Sequence, residues 1–237
     1  MTLEKILQMG LRRTGLSASS DAYMGNALDY FNMGMSDVLQ EREWNWALKS
    51  STITTSASTR AYSLASDVMW PRKDSFRDQT NDTILKVIDL TETDMRDPDE
   101  DESGQQRRVV ITGINSSTGY WSIDLFPTPD TSSETIAYRY YKSLADKNLA
   151  NDKTTDLAAD LPVWVQRGLT FYISGHFKGE KGDLQGEGQD LAIYRSIIDR
   201  NADTDAEVDD LEPSRLGRKG DDFVRPFTFE VTAGSLT

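Results

Sequence analysis

The chain of 237 residues contains no cysteine and a single histidine, His176. Without cysteine there is no disulfide scaffold, no Cys-ligated zinc, no iron–sulfur cluster and no thiol nucleophile. One histidine removes multi-histidine metal sites, and a Ser-His-Asp triad would have to use His176 as its base. Long apolar runs are missing too, since nothing approaches the roughly 18 residues of a membrane span. The opening MTLEKILQMGLRRTG places Glu4 and Lys5 where a secretory signal needs its apolar stretch, so no such signal is visible. Bases are scarce: 26 Lys plus Arg stand against 39 Asp plus Glu, a formal net charge of −13. That balance argues against a free-standing protein that grips nucleic-acid phosphates. The length allows one or two domains with a proper core. A soluble, cytosolic, non-enzymatic chain is the expectation.

What is present begins with helical periodicity. Leu3, Ile6, Leu7 and Leu11 recur at helix spacing, Thr2 stands as N-cap, and Thr14-Gly15 ends the element. A second helix starts near Asp21 and runs to Glu43, with Ala27, Tyr30, Phe31, Gly34, Met35, Val38 and Leu39 on one stripe. Gly34 in that stripe predicts a close neighbour. Trp44 and Trp46 follow, and two readings stay open for them: a core anchor where helix hands over to sheet, or an aromatic interface.

The period then changes. Segments 49–55, 60–64, 83–90, 107–114, 120–126 and 135–142 read as strands, separated by turn-rich stretches such as Asn115-Ser116-Ser117-Thr118-Gly119. Short strands without helices of βαβ length between them imply an antiparallel sandwich or small barrel. Helices return at Leu161-Pro162, with Val165, Leu169, Tyr172, Ile173 and Phe177 on one stripe. A last helix carries Leu191, Tyr194, Ile197 and Ile198 and ends near Arg200. The expected fold is therefore α+β: a helical bundle made by both chain ends (1–47 and 146–200), an inserted antiparallel β domain (48–145) and an extended or disordered arm (201–237).

In that arm Asp203, Asp205, Glu207, Asp209, Asp210 and Glu212 come without a base between them, and nothing there can bury a core of its own. Near its end Phe227, Phe229 and Val231 alternate with Thr228 and Glu230, a strand pattern in search of a sheet or groove. A free tail is the simplest account. The alternation favours an assembly arm anchored by Phe223, Phe227, Phe229 and Val231 on a neighbouring subunit.

Candidates for chemistry are weak. His176 reads as an imidazole near a helix C-terminus. The acidic run from Asp97 to Glu102 lacks the ligand spacing and internal glycine of a calcium loop, so it reads as a solvated loop. The glycine-rich stretch from Gly179 to Gly188 has no preceding strand, lacks GK[ST] and carries acids that repel phosphate; it reads as a helix–helix turn. No catalytic, cofactor or metal site is assigned.

The ordered succession of elements resembles a known family. Leu3-Glu4-Lys5-Ile6-Leu7, Ala27-Leu28-Asp29-Tyr30-Phe31-Asn32, Arg42-Glu43-Trp44-Asn45-Trp46, Tyr62-Ser63-Leu64-Ala65-Ser66-Asp67, Leu125-Phe126-Pro127-Thr128-Pro129-Asp130, Tyr138-Arg139-Tyr140-Tyr141-Lys142 and Leu161-Pro162 carry it. With this order the chain resembles the head-to-tail adaptor (connector) proteins of tailed, especially short-tailed, bacteriophages. The resemblance implies a virion protein of the neck, made in the host cytoplasm. It also implies a homo-oligomeric ring, commonly dodecameric, whose helices dock on the portal protein and whose β part faces a downstream tail or nozzle protein. Double-stranded DNA would pass through its channel without sequence recognition; no membrane and no cofactor are implied. Two rival readings remain: a tail-tube or baseplate component, and a carbohydrate-binding virion protein stacking sugars on Trp44, Trp46, Trp70, Trp121 or Trp164.

Overall fold

The computed structural model describes residues 1–99 and 101–210. In chain order the elements open with α1 (Leu3–Arg13), α2 (Asp21–Glu41), β1 (Leu48–Thr54), β2 (Ala61–Ser63) and β3 (Val68–Pro71). Next come β4 (Arg77–Asp78), β5 (Thr83–Ile84), β6 (Lys86–Ile88), α3 (Leu90–Arg96), β7 (Arg108–Ile114), β8 (Trp121–Phe126) and β9 (Thr135–Lys142). The chain returns to helix in α4 (Val163–Glu180) and α5 (Leu184–Asp210). The class is α+β, as the sequence pattern implies.

Four helices share one apolar cluster, with α4 touching α1, α2 and α5. Leu3, Ile6, Leu7 and Leu11 of α1 are fully buried in it, as their spacing requires. Close approach is set by glycine. A Cβ on Gly34 would lie 2.8 Å from Tyr172 Cδ1 and 2.9 Å from Leu169 Cδ2, so α2 reaches α4 only because that side chain is absent. Thr2 does not cap α1 through its hydroxyl. The N–H groups of Leu3 and Glu4 instead donate to the carbonyls of Thr155 and Lys153, so the segment before α4 satisfies the first turn of α1.

The β elements form two sheets around a second apolar cluster, which draws Ile53, Ile136 and Tyr138 from one and Val109, Ile123 and Leu125 from the other. The first sheet runs β1-β9-β4-β5, with β3 also on β9; the second runs β2-β8-β7-β6. The expectation of purely antiparallel pairing needs one correction, because β6 and β7 pair in parallel. A parallel pair requires a crossover. The short helix α3 and the acidic loop supply it. The expected strand 83–90 is likewise two short strands in different sheets, with buried Leu85 between them and the start of α3 at its end.

A second correction concerns the start of the arm. The last helix does not stop near Arg200 but continues to Asp210, so 201–210 is helical rather than extended. Ala202 packs into the bundle core and Asp205 is tied to Asn45, tertiary contacts that outweigh the acidic composition. The anchors Phe223, Phe227, Phe229 and Val231 lie outside the described residues.

Candidate assembly surfaces

The two cores meet along a seam of polar contacts. The Asn45 backbone N–H donates to an Asp205 carboxylate oxygen at 2.7 Å, and its Nδ2 donates to the Asp205 carbonyl at 2.6 Å. Lys142 at the end of β9 and Lys147 in the segment after it both reach Asp160, at 3.3 and 3.4 Å. Burial alone would raise the Asp160 pKa, but the two ammonium groups hold it below the ordinary carboxylate value. Asn32 of α2 grips the same segment, donating to the Lys147 carbonyl and accepting from its N–H.

Inside the bundle, Asp190 of α5 is a hub. Its carboxylate accepts from Arg13 at 3.1 Å, Lys178 at 2.7 Å and Ser174 Oγ at 2.5 Å, so one side chain ties α5 to α1 and α4. Burial pushes its pKa up, and the hydrogen bonds from Lys178, Ser174 and Arg13 more than reverse that.

One open recess, about 530 Å³, lies between α2, α4 and α5. Tyr172, Tyr194 and His176 line it with Asp37, Glu41 and Asp199. Tyr172 donates to Asp37 at 2.8 Å. Burial and that carboxylate raise the tyrosine's pKa. His176 sits between aromatic rings, stacked on Tyr30 at 4.9 Å and tilted against Tyr172 at 4.5 Å. Tyr30 in turn donates to Glu180, and burial together with that bond pushes its pKa to about 12. These groups make an acidic, aromatic surface.

A larger cleft, about 690 Å³, opens on the sandwich beside Glu43 and holds Trp70, Trp121, Ile111, Leu90 and Lys73. The rings of Trp70 and Trp121 lie 6.4 Å apart, and Trp121 Nε1 donates to the Met69 carbonyl at 2.9 Å. Trp70 is 42% exposed, so this cleft leaves a large aromatic face open on the β part.

The other aromatic candidates go elsewhere. Trp44 is 1% exposed, donates to the Val38 carbonyl and packs on Trp164 at 5.4 Å. It is a core anchor; Trp46 beside it is only partly buried. The glycine-rich stretch is a helix–helix turn in which the Asp183 carboxylate accepts from the Gly186 N–H at the start of α5. A carboxylate already occupies the helix N-terminus where an anion would sit. In the acidic run, Asp97 is buried and accepts from the N–H groups of Asp101 and Glu102, so the loop is folded around one of its own acids. Among the described residues no three His, Cys, Asp or Glu side chains converge as metal ligands.

The model of the SU10 adaptor protein family matches residues 1–207. The chain belongs to the SU10 adaptor protein family. No curated protein sequence matches it. The matched span takes in both apolar clusters and the Asn45–Asp205 contact, and it stops short of 211–237. The protein is thus a phage adaptor, a structural component of a virion. Sequence reasoning missed Asp190 and Asp205, since an acid among 39 acids gives no local signal of a partner 160 or more residues away.

Proposed function

We propose that this adaptor forms a ring in the neck of a tailed phage, between the portal protein and the tail, and continues the DNA channel. The match to the SU10 adaptor family across bundle and sandwich carries the reading. Charge supports it: a conduit for sliding DNA works by not holding phosphates, and each copy brings a net charge of −13. The helical bundle would dock on the portal and the sandwich, with its Trp70–Trp121 cleft, would face the tail component. Self-repulsion between such acidic subunits opposes spontaneous closure, so the free protein should be a monomer or weak oligomer that closes into a ring on the portal template.

Mixing the purified chain with portal rings and imaging the product tests this. Stoichiometric rings beneath the portal are expected. A stable closed ring without portal would overturn the templated order, and attachment to tail tube or baseplate instead of portal would favour that location.

A further inference from the structure

Among the described residues four of the five edge strands are short. The edge strands β2 and β6 have three residues each, β3 has four and β5 has two, whereas β1, the last strand on its side of the first sheet, has seven. It pairs with β9 from Leu48 to Thr54 without a register shift, and it contains no proline. A long edge in unbroken register is a template for another strand unless something covers it. Its inner face carries Ile53, buried in the sandwich core, while Thr52 on the outer face is exposed. It has no acidic residue in a chain of net charge −13, so an acidic segment meets no like charge within that strand.

The route to this edge is on the page as well. Asp205 is fastened to Asn45, three residues before β1 begins, so α5 passes the start of the open edge five residues before the helix ends at Asp210. Residues 211–226 then reach up to about 50 Å when extended. That is more than twice what a return along the seven-residue β1 of the same subunit would need, at roughly 3.3 Å per residue. Beyond this linker Phe227, Phe229 and Val231 alternate with Thr228 and Glu230, and Pro226 stands just ahead, at a position compatible with a strand start.

We infer that the segment 227–231 of one copy adds as a further strand to the outer edge of β1 in an adjacent copy. Phe227, Phe229 and Val231 extend the sandwich core past Ile53, and Thr228 and Glu230 stand beside Thr52 on the outer face. Main-chain hydrogen bonds close the edge, and the aromatic side chains fix the register. The inference rests on the ring reading for the presence of a neighbour.

The absence of native cysteine makes a clean cross-linking test. Full-length Thr52→Cys and full-length Thr228→Cys, each with a different mass tag, are mixed, assembled on portal rings and oxidised; Glu230→Cys replaces Thr228→Cys in a second series. Directly opposed residues of paired strands lie within disulfide range. The expected result is a disulfide between the two differently tagged chains, reduced roughly tenfold or more by Phe229→Asp, in line with the loss of a buried Phe. In a full-length Thr52→Cys/Thr228→Cys double variant assembled in the same way, cross-links confined to one chain would place the segment on its own β1 and overturn the inference. Thr52–Thr52 position links, meaning β1 against β1, would overturn it as well. Normal rings without any cross-link would overturn it while leaving the neck reading intact, and failure to assemble would overturn both.

Discussion

Asn45 and Asp205, 160 residues apart in sequence, are joined by two hydrogen bonds of 2.7 and 2.6 Å. The contact closes the chain around the sandwich, since everything from β1 to the start of α4 lies between its two ends. It also holds the last part of α5 beside the segment that leads into β1, and so links the packing of the bundle to the sheet.

Replacing Asp205 by Ala should loosen that end first. One bond, to a carboxylate oxygen, disappears and the Asn45 N–H loses its acceptor, at a cost of about 1–2 kcal/mol for a partly exposed site. Hydrogen exchange should show faster amides at Asn45 and through the last turns of α5, with no change at Ile6 or Leu7 in α1. Unchanged protection at Asn45 would mean that the helix end is held by apolar packing alone.

Asp190 makes the strongest electrostatic prediction. Asp190→Asn leaves Lys178 and Ser174 without their ionised acceptor, and with Lys178 mostly buried the loss should be about 2–3 kcal/mol in urea denaturation. The sign with pH follows from a carboxyl pKa lower in the folded than in the unfolded chain. Its contribution is fully present above the unfolded value of about 3.9 and is lost as pH falls through the lower folded value. The difference between native and variant should therefore be flat from about pH 5 to 7 and shrink below about pH 4. A difference that grew on acidification would contradict the hub.

How far the sequence carries depends on whether a signal is local. The stripe Leu3, Ile6, Leu7 and Leu11 is readable because burial repeats with the helix period, and all four are buried. The strands β7, β8 and β9 begin and end within one residue of their expected positions, because each is long enough to show alternation. The two- to four-residue strands β3 and β4 have too few residues for a period, and exist because β9 offers them a partner. The parallel β6–β7 pair was hidden for the same reason: β6 has only three residues and α3 only seven. Of the candidate surfaces, the tryptophans stood out by type, but only packing separates buried Trp44 from exposed Trp70. The α5 extension ran against composition, since Ala202 and Asp205 find their partners in distant segments.

Gly34 tests the closest helix approach. In a free helix Gly→Ala gains about 1 kcal/mol. Here the added methyl would meet Tyr172 and Leu169 at under 3.0 Å, and overpacking costs roughly 1–3 kcal/mol. Gly34→Ala should therefore be destabilising or neutral in a thermal melt, with Tyr172 displaced from Asp37 and its elevated pKa lowered toward the free value. A clear gain in stability would show that α2 and α4 can separate without loss.

The adjacent tryptophans offer a way to separate folding from assembly. Trp44 is buried, hydrogen-bonded to Val38 and packed on Trp164, so Trp44→Ala should cost about 3–5 kcal/mol. Trp46 differs: its indole Nε1 is buried without a hydrogen-bond partner among the described residues. Trp46→Phe removes that unpaired donor and keeps most of the ring, so the gain from the first offsets the loss of packing from the second. Its urea midpoint should shift by less than about 1 kcal/mol. If Trp46 belongs to a docking surface, the same variant should weaken binding to portal rings while its stability stays unchanged, because indole contributes more contact area than phenyl. Portal binding equal to the native chain would assign Trp46 to the core alone, and a large drop in stability would show that its N–H has a partner in solution.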